Sequence, residues 1–97
     1  MAELVWTKFA LEDLQDVYNY IAKDSKFYAG RFIDKLMEKT GILVSQPQAG
    51  RVVPEFENEL IRELIEGNYR LIYKVESVSQ VVIVRIHHTS RLLHNLH

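Results

Sequence analysis

The sequence predicts an α+β domain of order β-αα-βββ, with an N-terminal strand and a helical hairpin packed on one face of an antiparallel sheet. Three observations predict it. Between residues 8 and 45 apolar side chains recur at helical spacing, interrupted only at Asp24-Ser25. From Leu60 to His88 the chain is instead rich in Val, Ile and Tyr. That stretch is broken at Glu66-Gly67-Asn68, where Gly and Asn supply the positive φ angles of a tight hairpin, and again at the polar Glu76–Gln80.

The elements follow in order. Glu3–Trp6 reads as a short strand, and Thr7 as the N-cap of a helix from about Lys8 to Ala22. Leu11, Leu14, Val17 (with Tyr18) and Ile21 form its apolar stripe; Glu12, Asp13 and Asp16 near its start, and Lys23 at its end, suit the helix dipole. Asp24-Ser25 caps a second helix, from about Lys26 to Ser45, with the stripe Ala29, Phe32 or Ile33, Leu36, Thr40 and Leu43; Pro47 stops it. So short a break makes the two helices antiparallel neighbours. Arg51–Val53 reads as a brief extended piece, and 54–58 as an irregular acidic connection into the sheet.

A two-residue loop at Gly67-Asn68 places Glu63 opposite Ile72 and Arg62 opposite Tyr73. One sheet face then carries Leu60, Arg62, Leu64, Leu71, Tyr73 and Val75. The other carries Ile61, Glu63, Ile65, Arg70, Ile72 and Lys74. In the third strand Val82, Val84 and Ile86 alternate with Ile83, Arg85 and His87, and His87 faces the same way as Arg70. The expected assembly buries the more apolar set under the helices and leaves a cationic face outside.

Composition bounds the rest. Ninety-seven residues, 47% hydrophobic and 26% charged, make one domain (1–97) able to bury a core without disulfides or metal. The absence of cysteine excludes a disulfide framework, a thiol nucleophile and a Cys-containing zinc site. Met1–Trp6 lacks the basic start and apolar run of a signal peptide, and no apolar stretch approaches membrane-spanning length, so a cytoplasmic protein without membrane contact is expected. The net charge of −1 hides an asymmetry. Residues 1–67 hold 8 Lys/Arg against 12 Asp/Glu, and residues 68–97 hold 4 against 1 together with all four histidines. A cationic end makes an anionic partner plausible.

Several motifs in this layout resemble the RelE/ParE superfamily of toxins from bacterial type II toxin–antitoxin (plasmid stabilisation) modules. They are Trp6 with Leu11–Leu14, Tyr20–Ser25, Gly50-Arg-Val-Val-Pro-Glu55, Arg62-Glu63, Gly67-Asn-Tyr-Arg-Leu-Ile-Tyr73 and His87-His-Thr-Ser-Arg-Leu92. They run in family order over essentially the whole chain. The superfamily holds two mechanisms. RelE-like members are described as ribosome-dependent ribonucleases that cut mRNA with a cluster of basic side chains. For that branch the resemblance implies Arg70, Arg91 and His87 as catalytic residues, with His97 near the position of the C-terminal tyrosine. The strand lysines of that branch fall here on Ile61 and Glu63. Attack by a 2′-OH on its phosphate needs a base, an acid and stabilised phosphorane charge, and Glu63 puts a negative charge where those nucleases put positive ones.

ParE-like members are described as poisoning DNA gyrase by binding it, without hydrolytic chemistry. Arg62-Glu63, Gly50–Glu55 and the His87/Arg91 ending look more like this branch. The resemblance therefore implies growth inhibition through gyrase, with Arg51, Glu63, Arg70, Lys74, Arg85 and Arg91 as target-binding candidates. The alternatives are the nuclease and a degenerate toxin that keeps only antitoxin binding and operon autoregulation. Both branches imply a cognate antitoxin laying an amphipathic helix on the helical hairpin, for which Phe9, Tyr18, Phe27 and Tyr28 are candidates, and operator DNA met only through that complex. No cofactor is expected. Metal binding is not expected either, since His94 and His97 have helical i, i+3 spacing but no evident third ligand.

The same residues have structural readings. Arg70 can be half of a surface ion pair with Glu63 or Glu66; if its face is instead functional, Arg70→Ala is expected to spare folding and reduce toxicity. Arg62 is expected to brace the layer edge through backbone hydrogen bonds, Tyr69 and Tyr73 to pack with satisfied hydroxyls, and Arg51 to contact a partner or cap the second helix.

Overall fold

Thr7 turns the chain from strand to helix and fastens both to the sheet. Its hydroxyl accepts from Ala10 N at 3.0 Å, as an N-cap does, and donates to Val84 O at 2.8 Å. The structure, a computed structural model, describes residues 1–89. They form β1 (Glu3–Trp6), α1 (Lys8–Ala22), α2 (Lys26–Ile42), β2 (Arg51–Val52), β3 (Ile61–Glu66), β4 (Tyr69–Ser77) and β5 (Gln80–His88). The strands make one sheet in the order β1-β5-β4-β3-β2. β1 lies parallel to β5 at one edge, and the other pairings are antiparallel. This is the expected α+β architecture of an N-terminal strand and helical hairpin against an antiparallel sheet. Arg91, His94 and His97 lie outside the described residues.

The helices pack through Ala10, Val17 and Leu36, which are buried with Leu71, Tyr73, Val81, Ile83 and Ile86 of the sheet. Leu11, placed in the stripe by its spacing, is 52% exposed, and Ala10 takes the buried position. The stripe is therefore Ala10, Leu14, Val17 and Ile21, rotated from the expected one at its first turn. α2 stops at Ile42 rather than Ser45. Past Gly41 the amides of Leu43, Val44 and Ser45 bond three residues back, tightening the end into a narrower coil. Ala29, Leu36, Thr40 and Leu43 are buried as expected, and Phe32 and Ile33 both pack against the core.

The β3–β4 register is the expected one throughout, from Ile61 opposite Lys74 to Glu66 opposite Tyr69. Gly67 alone provides positive φ (56°) in that turn; Asn68 does not. The β4–β5 pairing shifts between Ile72/Arg85 and Tyr73/Ile83, so Val84 is an extra residue in β5. The bulge overturns the simple alternation along this strand. Val81, Ile83 and Ile86 all reach the helical core, and Ile83 does not share a face with Arg85 and His87.

The second face of the sheet is also covered. After β2 the chain folds back over it, so that Val53 and Ile72 are fully buried with Phe56 and Ile61 packed against them. What fixes this segment is Gly50. Its N–H donates to the Tyr73 hydroxyl at 2.8 Å, and a Cβ there would sit 2.5 Å from Glu63 O. Arg62 braces the same loop, donating to the carbonyls of Glu59 at 3.0 Å and Gly50 at 2.9 Å.

Burial holds the Tyr73 phenol above its ordinary pKa, partly offset by the Gly50 N–H it accepts. The folded state thus favours the neutral phenol. Its contribution is complete below the unfolded value of about 10 and is lost as pH rises through the higher folded value. Tyr73→Phe is expected to cost about 1–2 kcal/mol at neutral pH and to flatten the alkaline limb of stability against pH, measured by urea unfolding from pH 7 to 11.

Candidate functional site

Glu63, in the middle of β3, is 1% exposed. An isolated carboxylate buried so completely would be very costly, and two guanidiniums compensate it. Arg51 of β2 donates to Glu63 Oε2 at 2.5 Å, and Arg70 of β4 donates to Oε1 at 2.6 Å. Register explains the meeting. Arg51 lies directly opposite Glu63 across the β2–β3 pair, and Arg70 enters from the adjoining strand on the same face. Glu55, carried over the sheet by the segment after β2, then clasps Arg70 from outside through a two-pronged pair, Nη1 at 2.6 Å and Nη2 at 2.8 Å.

The four charges sum to zero. The hydrogen bonds it donates to Glu55 hold the Arg70 guanidinium more firmly charged than usual, against burial, and Glu63 adds to the effect. Arg70 is itself only 6% exposed. The expected cationic outer face is therefore absent here: a charge-balanced network lies beneath a cleft of about 400 Å³ lined by Arg51, Pro54, Glu55, Ile65, Arg70 and Thr89. Of the pairings expected for Arg70, Glu63 is present, and Glu55 rather than Glu66 is the second; Glu66 pairs with Lys39 at 3.1 Å. Arg51 caps no helix.

The remaining candidates differ in their surroundings. His87 stands opposite Arg70 in the register, as expected. It lines a different recess, of about 470 Å³, beside α1 with Asp16, Tyr20, Tyr69 and His88. Arg85 is clasped by Asp13 of α1, Nε at 2.8 Å and Nη2 at 3.1 Å, and that pair raises its pKa. Asp13 also accepts from Ile86 N at 2.9 Å, so its role is to close the β5 edge beyond β1 as well as to suit the helix start. Lys74 lies on the surface, 3.4 Å from Glu76. Among the described residues no group of three or more His, Asp or Glu is placed to hold a metal ion.

The antitoxin-binding candidates do not form one patch. Phe27 and Tyr28 stand edge to face at the tip of the helical hairpin, 67% and 66% exposed, with Arg31 over the Phe27 ring. Phe9 is exposed at the other end of α1 beneath Arg85, and Tyr18 is half-buried. Tyr20, which spacing did not single out, is exposed at the tip side with Lys23 over its ring.

Because Arg70 compensates two carboxylates, Arg70→Ala is expected to destabilise the fold by about 3–5 kcal/mol, not to spare it, whereas Lys74→Ala should stay within about 0.5 kcal/mol. Urea unfolding of the two variants checks the contrast, and an Arg70→Ala loss below about 1 kcal/mol would refute it.

Comparison with known proteins agrees with the architecture. A sequence model described as the ParE toxin of the type II toxin–antitoxin system parDE matches residues 4–93. Toxin RelE2 of Caulobacter vibrioides is 35% identical over 92 residues, spanning 95% of this chain and 100% of that protein. Among solved structures, the chromosomal ParDE system of P. aeruginosa superposes with a TM-score of 0.73 at 24% identity, covering 93% of this chain and 98% of the other. The toxin–antitoxin complex RelBE2 of Mycobacterium tuberculosis gives 0.65 at 23%, covering 90% and 96%. At these identities the two structures speak for the fold. The sequence match over nearly the full chain speaks for descent: the chain belongs to the ParE toxin family of type II toxin–antitoxin systems.

Proposed function

We propose that this toxin stops bacterial growth in the cytoplasm by binding DNA gyrase, without hydrolytic chemistry of its own, and that a cognate antitoxin neutralises it. The observation that carries the reading is the state of Arg70. The residue matching the arginine of the nuclease motif is buried, and at least three of its N–H groups are committed to Glu55 and Glu63. A phosphorane needs charge offered to it, and here the charge is already matched by carboxylates. Glu63 sits where the nuclease branch carries a lysine. On this view Arg70 and Glu63 lock the fold, and the more exposed Arg51 and Lys74 remain as contacts for the target.

The name of the Caulobacter relative, RelE2, favours the second reading, a ribosome-dependent mRNA endonuclease using Arg70, Arg91 and a histidine. Two purified assays separate the readings. The gyrase reading expects inhibited supercoiling and trapped cleaved DNA with gyrase, and intact message in a translating system. Cuts in translated mRNA with undisturbed gyrase would replace it by the nuclease. If overexpression does not arrest growth, a degenerate toxin that retains only antitoxin binding and autoregulation takes its place.

The related ParDE and RelBE2 structures are toxin–antitoxin assemblies. For this chain the hairpin tip fits such a partner: exposed aromatic rings rimmed by Lys23 and Arg31 suit an amphipathic helix with acidic flanks. The complex, rather than the toxin alone, would meet operator DNA. Phe27→Ala with Tyr28→Ala is expected to weaken antitoxin binding about ten-fold or more by calorimetry, and Phe9→Ala to change it far less.

A further inference from the structure

The helical layer is shorter than the sheet it covers. α2 ends at Ile42 and the chain turns away through Gln46–Ala49, while β4 runs on to Ser77 and Leu60 extends the β3 side by accepting from Val75 N at 2.8 Å. The uncovered end of the sheet is a groove of about 740 Å³, walled by Pro47 and Ala49 on one side and by Leu60, Val75, Glu76 and Val78 on the other. Its apolar residues are unusually open: Leu60 is 50% exposed and Val78, at the tip of the β4–β5 turn, is 95% exposed. Neither is needed by the core, and a Val at a two-residue turn tip is an unfavourable choice where polar residues serve turns better.

The groove's charged border is carried mainly by carboxylates. Glu76 lines the groove, and the exposed Glu59 immediately precedes the lining Leu60 in the turn before β3. Among the described residues Glu59 enters no ion pair, and Glu76 shares only the exposed Lys74. Arg62, behind the loop wall, is committed to backbone carbonyls of Gly50 and Glu59. The groove lies outside both the Arg70 cluster and the aromatic hairpin tip.

We propose that this groove is the docking site for a short segment of the toxin's protein target, one that inserts an apolar side chain flanked by lysine or arginine. The inference rests on the reading that the toxin acts by binding a protein. The apolar floor supplies burial, and Glu59 and Glu76 supply the charge a basic segment complements, so binding weakens as salt rises.

The test has two arms. In the first, the full-length 15N-labelled toxin is titrated with a blocked synthetic peptide, Lys-Leu-Arg-Leu-Lys. Amide shifts are expected at residues 46–49, 60 and 75–78, and affinity is expected to fall at least ten-fold in Glu59→Lys/Glu76→Lys. Shifts confined to the hairpin tip, or none at millimolar peptide, overturn the proposal. In the second arm, Leu60→Asp/Val78→Asp is expressed with and without the antitoxin. Both sites are exposed, so melting should stay within a few degrees, antitoxin binding should be retained and growth arrest should be lost. Full arrest by the folded variant overturns the proposal. Loss of antitoxin binding assigns the groove to the antitoxin and overturns it, and a dimer that dissociates only in the variant assigns it to a second copy and overturns it. If the unaltered toxin causes no arrest, the functional reading fails while the peptide titration still decides the groove.

Discussion

A carboxylate buried in the middle of a sheet imposes conditions on everything around it. Glu63 is compensated by Arg51 and Arg70, which reach it from the strands on either side. Arg70 in turn can be buried only because Glu55 closes over it. This chain of compensation joins β2, β3, β4 and the segment after β2. Such networks contribute little net stability relative to apolar side chains of the same shape, but they penalise heavily any arrangement that breaks a pair. The segment carrying Glu55 is therefore held in one place on the sheet, and Val53 and Phe56 are held with it.

The other face obeys ordinary packing. Ala10, Val17 and Leu36 of the helices meet the sheet in one core, and Tyr73 passes from it to the Gly50 amide, linking the two sides. Gly50 is the position where both sets of constraints meet. No side chain fits between Glu63 O and the Tyr73 hydroxyl, so the turn into β2 is as tightly specified as the ion pairs it delivers.

Much of this was legible in the sequence because it is local. The Gly67 turn set the β3–β4 register, the Thr7 and Ser25 caps set the helix starts, and the apolar stripe of α2 was read correctly. What was not legible depends on contacts distant in the chain. Nothing in the spacing shows that Glu55 folds back 15 residues to Arg70, or that Asp13 reaches Arg85 across 72. The extra residue at Val84 is equally hidden, since Val-Ile-Val-Arg carries no glycine or other mark of a bulge. The outer face looked cationic because its lysine and arginines were counted without the carboxylates that tertiary folding brings to them. The candidate site was thus half legible: the Arg70–Glu63 pair could be read from the strand register, and the parts of Arg51 and Glu55 could not.

The central claim is that the Arg70 cluster locks the fold and does no chemistry. The measurement that tests it most directly replaces the cluster by apolar residues of similar volume, Glu55→Leu, Glu63→Leu and Arg70→Met together, and follows growth arrest on expression. Removing all three charges avoids stranding one in the interior, so the variant should fold about as stably as the unaltered chain. The account predicts that it folds and still arrests growth. A variant that folds, still binds the antitoxin and is harmless would contradict it, and would return Arg70 to the chemistry of the toxin.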